Sequence, residues 1–191
     1  MVAGDSLRSF ISSARLVAKA GGWHGAIALA LILPDICGSI DYPNLPSKER
    51  FIAWWDDRLR RWFSLPFLPR GQSTFEVDFP PPLGPRMSPE THLSGSEAWD
   101  LRCAFLHSGQ TLGSDLNLSH DVRFFEPPTA VPFLRHGGTL FVTPGYLVER
   151  VCLGVEEWME EAEADPYRAA LLVDVMKLDS AIGVPLMDGG V

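Results

Sequence analysis

Apolar residues recur at helical spacing near the start of the chain, with Leu7, Phe10, Ile11, Ala14, Val17 and Ala18 on one stripe. The spacing predicts a helix over Ser6–Ala20, ended by Gly21 and Gly22. A second helix is expected over residues 23–38. It is apolar nearly all round from Ala26 to Leu33, which marks it as the central, buried helix. Pro34 is expected to kink or end it, because proline removes a backbone donor and clashes with the preceding turn. Asp41–Pro46 reads as a loop. Ser47 is then expected to cap a third helix to about Phe63, with Ile52, Trp55, Leu59 and Trp62 on one stripe. Asp56–Arg60 and Asp57–Arg61 fall at i,i+4 on the other face and read as a solvated surface.

Residues 64–94 break the pattern. Seven prolines between Pro66 and Pro89 forbid a long helix, and the segment reads as a proline-rich loop insertion with Thr74–Phe79 as a short strand. Pro82–Pro85 fits a PxxP pattern and is taken as stiff linker. Ser94 and Glu97 form a capping box that opens a fourth helix, which runs through Asp100, Arg102 and His107 to Gly109. Val122–Glu126 and Thr139–Val142 read as two strands, with turn chemistry at Arg135–Gly138. Thr143 and Pro144 start a fifth helix, whose stripe is Val148, Val151, Cys152, Val155, Trp158, Met159 and Ala162. Asp165 and Pro166 start a short last helix, and residues 179–191 read as a frayed tail. The expected fold is mainly α: a single domain over 1–191, a helical bundle with a small β-hairpin between the fourth and fifth helices.

Charge sharpens this picture. The net charge is −8. It is unevenly spread: residues 1–94 carry ten Lys/Arg against nine Asp/Glu, and residues 95–191 carry six against fifteen. Seven carboxylates lie between Glu149 and Asp165, so the fifth helix, residues 144–165, presents an acidic outer face that would repel a phosphate backbone and could dock a protein partner. An RNA ligand is expected instead near Arg58, Arg60, Arg61 and Arg70. The apolar run Ala26–Leu33 is eight residues, too short to span a bilayer, and no signal peptide is evident; a cytoplasmic protein with no membrane partner is expected.

Cys37, Cys103 and Cys152 lie far apart beside apolar residues. An odd count without CxxC argues against a disulfide framework or zinc ribbon, and three buried, reduced thiols are expected. P-loop, GxGxxG, GxSxG and HExxH patterns are all missing, and the five histidines include no i,i+4 pair. Neither a cofactor nor a metal site is expected.

The segment Leu101–Gly109 carries the candidate chemistry. With Ala98 at zero and about 100° per residue, Arg102 falls near 40°, inside an arc made by Leu101, Phe105, Leu106 and Trp99. His107 falls near 180°, beside Asp100. An arginine in an apolar arc must find a carboxylate or a phosphate, since an unpaired buried charge is very costly. Asp35, which follows the most buried helix, is the candidate partner. One reading of the segment is therefore a structural Arg102–Asp35 ion pair with His107 at a helix end.

The spacing Arg102-x4-His107 on a late helix resembles the R-x4-6-H motif of HEPN-domain ribonucleases. A second match, Arg86-x5-His92, lies in the proline-broken segment, and Cys103 stands where that family commonly has a polar residue. The resemblance implies a small helical bundle that cleaves RNA without a metal. It implies that His107 acts as general base or acid on the 2′-hydroxyl and that Arg102 holds the scissile phosphate. It also implies a homodimer in which both motifs line one cleft, in a toxin or phage-defence role. Trp54, Trp62 and Trp99 are expected to supply aromatic surface for that dimer. The chain also resembles small bacterial proteins that share LPDICG-type and LRCAFLHxG-type segments, a likeness that implies no activity. The alternative is a non-enzymatic interaction module of the same fold, docking through the acidic helix.

Overall fold

A computed structural model of the chain describes residues 4–63, 93–108, 121–125, 133–136 and 139–175. The first helix, α1, spans Asp5–Lys19 and buries Leu7, Ile11 and Ala14, the stripe read from the sequence. Gly21 has φ +81, a left-handed conformation that lets the chain reverse into the next helix without strain.

Helix α2 spans Trp23–Asp41 and is the centre of the bundle, packed on α1 and on the helices that follow. Its length and mean hydropathy of 1.5 would suit a membrane span, but half of that apolar window is buried within this fold. Pro34 does not end the helix: α2 continues to Asp41. Pro34, Cys37, Gly38 and Ile40 are buried beyond the break, so packing on both sides of the proline offsets one lost backbone hydrogen bond.

The third helix begins as α3, Ser47–Trp54, widens into a π turn over Trp55–Leu59, and tightens into a 3-10 turn over Arg60–Phe63. Arg61, expected to pair with Asp57, pairs with Glu157 on a later helix instead. Asp56 accepts from the Gly95 N–H at 2.8 Å, and Asp57 meets Arg58 at 2.9 Å. Ser47 does not cap the helix. Pro46 precedes the first turn, and the Ser47 hydroxyl donates to Asp35 instead.

Helix α4 spans Gly95–Ser108. Its capping box is present: the Ser94 N–H donates to Glu97 Oε2 at 2.9 Å, and the Glu97 N–H donates to Ser94 Oγ at 3.3 Å. A Cβ at Gly95 would meet the Ile52 carbonyl oxygen at 2.6 Å, so glycine is what lets α4 start against α3. Trp55 Nε1 donates to the Leu93 carbonyl at 2.9 Å and fixes the same junction.

Between α4 and α5 lies a small sheet of three strands: β1, Asp121–Phe124; β2, Phe133–His136; and β3, Thr139–Val142. The hairpin is β2–β3, antiparallel, with His136 opposite Thr139. The expectation is corrected in two respects. Arg135 and His136 belong to a strand rather than a turn, and β1 pairs with β3 in parallel. Four-residue strands of mixed polarity carry too little alternation for register to be read locally.

Helix α5 spans Pro144–Ala164 and buries the predicted stripe; α6 spans Pro166–Asp174. Asp165 caps α6, accepting from the Tyr167 N–H at 2.9 Å and the Arg168 N–H at 3.1 Å. The loop expected over 64–92, its strand and PxxP motif, Arg70, the Arg86-x5-His92 match, Gly109, the Gly137–Gly138 turn and the 179–191 tail lie outside the described residues. The one core runs through all six helices and reaches the sheet at Val122, Leu140 and Val142.

Cys37 and Cys152 are buried, whereas Cys103 is half-buried, so the expectation of three buried thiols is corrected for Cys103. Burial pushes the Cys37 thiol up, with Asp41 adding to it, and pushes Cys152 up to about 12. Below the unfolded-state value near 8.5 both states keep the Cys152 proton. Above it the unfolded chain releases the proton and the folded chain holds it, so stability is lost as pH rises from about 9 through 12. We expect Cys152→Ala to flatten that part of the stability–pH curve in denaturant melts. An unchanged slope would contradict burial of Cys152.

Candidate functional site

The sequence singled out Arg102, and its surroundings are built by three helices. Asp35 projects from α2 beyond Pro34, and Arg102 Nη2 donates to its Oδ2 at 3.2 Å. Arg50, on α3, donates through Nε to Oδ1 of the same carboxylate at 3.1 Å, and the Ser47 hydroxyl donates to Oδ1 at 3.2 Å. Gly38, one turn beyond Asp35, makes this approach close: a Cβ there would lie 3.1 Å from the Arg50 carbonyl oxygen.

Two guanidinium groups thus share one carboxylate, which leaves one unit of positive charge at the junction of α2, α3 and α4. The side chains are mostly shielded, 16% exposed for Arg102 and 18% for Asp35. Trp99, one turn before Arg102, places its ring 4.8 Å from the guanidinium carbon and sets its edge against Phe51. Arg102 Nε is buried with no hydrogen-bond partner, an unusual state for a charged donor.

His107 lies in the last turn of α4. It is five positions after Arg102, so the two backbone positions lie about 7.5 Å apart along the helix and about 140° apart around it. That last turn heads towards the start of α2, where the His24 ring stacks on Phe105 at 5.9 Å. Asp100, on the same helix, is half-buried.

Two of the arginines expected to meet RNA, Arg58 and Arg61, face the acidic helix. Arg58 donates to Glu161 at 2.6 Å, and Arg61 pairs with Glu157. Arg60 is exposed. On the other side of α5, the Arg15 guanidinium bridges Glu149 and Glu156, with Nε to Glu149 at 3.0 Å and Nη2 to Glu156 at 2.9 Å. These two carboxylates raise the Arg15 value above that of a free guanidinium. Arg8 meets Glu163 at 2.6 Å. Every carboxylate from Glu149 to Asp165 except Glu160 has an arginine partner among the described residues. The acidic face is thus mostly paired at the surface, largely across helix–helix contacts, each exposed pair worth about 0.2–1 kcal/mol.

The aromatic surface expected for a dimer is smaller than the sequence suggested. Trp54 is fully buried, edge-on to Trp158, and Trp62 and Trp99 are half-buried. Sequence reasoning missed Arg50 as the second partner of Asp35, because nothing local marks a contact between residues fifteen apart on different helices. No group of three or more His, Cys, Asp or Glu side chains suited to a metal occurs among the described residues. Comparison of the chain with protein-family models, with curated proteins and with solved structures gives no significant match.

Proposed function

We propose that the chain is a homodimeric, metal-independent endoribonuclease of HEPN type, working in the cytoplasm, with Arg102 and His107 of α4 as its catalytic pair. The observation that supports this most is the charge balance at Asp35. A carboxylate that meets two arginines orients both while leaving net positive charge. A phosphodiester is the anion that such a fork accepts. His107 would move the proton of the 2′-hydroxyl, and Arg102 would stabilise the charge that develops on phosphorus-bound oxygen. The angular separation of the two side-chain positions supports a two-fold assembly, in which one copy of α4 faces the other across a shared cleft.

The test is incubation of the purified chain with total RNA beside His107→Ala. Loss of general acid–base help should lower the cleavage rate by about 100-fold or more, with the melting temperature unchanged. Light scattering on the same samples should give the mass of two chains. Cleavage that survives in His107→Ala, or a monomer at high micromolar concentration, contradicts the proposal.

A second reading has its own support. Arg102 is shielded and paired, as a purely structural cross-link would be, which favours a non-enzymatic interaction module. On that reading the acidic helix has few carboxylates to offer a partner without breaking internal pairs.

A further inference from the structure

Arg150 differs from the other arginines of the fold. Seven of them each face a carboxylate. Arg150, in the second turn of α5, is half-buried and lies over aromatic rings instead. Its guanidinium carbon is 5.0 Å from the Tyr146 ring centroid and 5.5 Å from that of Trp62. Among the described residues it has no hydrogen-bond acceptor and no carboxylate partner.

The two rings are themselves held. The Tyr146 hydroxyl donates to the Trp62 carbonyl at 3.0 Å, and Tyr146 meets Phe63 edge-on. Trp62 Nε1 is buried without a partner, beside Gly154, where a Cβ would lie 3.3 Å away. Arg61, paired with Glu157, approaches the Trp62 ring at 5.8 Å. Aromatic faces attract a guanidinium and fix its plane, but they do not satisfy its in-plane N–H groups. What remains is a pre-oriented planar fork of donors.

We propose that Arg150, set on Tyr146 and Trp62, is a phosphodiester-binding subsite for single-stranded RNA. It rests on the RNA-directed reading above and adds a contact that binds the strand without taking part in its scission. Planar bidentate donors suit a phosphate oxygen pair, and a guanidinium plane also accepts a stacked base. The sequence alone pointed away from this residue, since Arg150 sits at the edge of the most acidic stretch. The neighbouring carboxylates are engaged elsewhere: Glu149 with Arg15 and Glu157 with Arg61.

The experiment measures binding separately from cleavage. A fluorescently labelled 2′-O-methyl RNA of about 16 nucleotides, which the proposed chemistry cannot cut, is titrated at low salt and followed by anisotropy. Arg150→Ala should weaken binding about tenfold, and Arg150→Lys, which keeps the charge but not the fork, about threefold. The salt dependence of log K should fall by about 0.7 in Arg150→Ala, the value for one phosphate contact on a single strand. Circular dichroism shows whether each variant is folded; should Arg150→Ala unfold, Arg150→Lys decides. Wild-type binding in a folded Arg150→Ala, or in Arg150→Lys when it decides, overturns the inference and leaves the ribonuclease reading standing. Weakened binding in a wild-type background that cuts no natural RNA supports the inference and removes the ribonuclease reading. A wild-type chain that binds polyglutamate but not RNA overturns it.

Discussion

Asp35→Ala should cost about 3–5 kcal/mol of folding stability, the largest loss expected from any single polar substitution in this chain. The carboxylate is shielded, and it holds Arg50, Arg102 and Ser47 together from three helices. Its removal leaves two guanidinium groups side by side with no counter-charge, so the cost includes repulsion as well as lost hydrogen bonds. Asp35→Asn keeps an acceptor and the volume and should cost less. Chemical denaturation of both variants checks this. A change below about 0.5 kcal/mol for Asp35→Ala would place the residue among ordinary surface positions.

Arg102→Ala should be the next most damaging, at about 2–4 kcal/mol. It removes one of two cations from Asp35, so Arg50 still covers the carboxylate and the loss stays below that of Asp35→Ala. It also strips the guanidinium from Trp99. If Arg102 holds the scissile phosphate as proposed, the same variant should also lose RNA cleavage. The double variant Asp35→Ala/Arg102→Ala should be less destabilised than the two single losses added together, by about 1–3 kcal/mol, because the pair is shared. Additive losses would show that the two side chains act independently.

Local signals in the sequence carried much of the fold. Ser94 with Glu97, and Asp165 ahead of Pro166, close hydrogen bonds over three residues, and their chemistry is complete within that window. The stripes of α1 and α5 follow from periodicity alone. Arg102 was placed inside an apolar arc by the same periodicity, and a buried cation demands a partner. What could not be read depends on distant chain. Pro34 sits mid-helix because packing on both of its sides outweighs one lost donor, a balance no local window contains. The π turn at Trp55–Leu59 moves Arg58 and Arg61 onto α5, so charges that read as a solvated face became inter-helix pairs. Arg50 reached Asp35, and Arg150 reached Trp62, through the way helices cross, whereas Tyr146 lies one turn before Arg150 on the same helix. The parallel pairing of β1 with β3 is likewise set by the chain's path rather than by the strands.

The central claim is that α4 carries an RNA-cutting pair that needs no metal. The measurement that tests it most directly is the end chemistry of RNA exposed to the wild-type chain in excess EDTA. Attack by the 2′-hydroxyl, aided by His107 and Arg102, predicts undiminished cleavage and 2′,3′-cyclic phosphate ends. Cleavage that vanishes with EDTA, or products with 3′-hydroxyl ends, would contradict it.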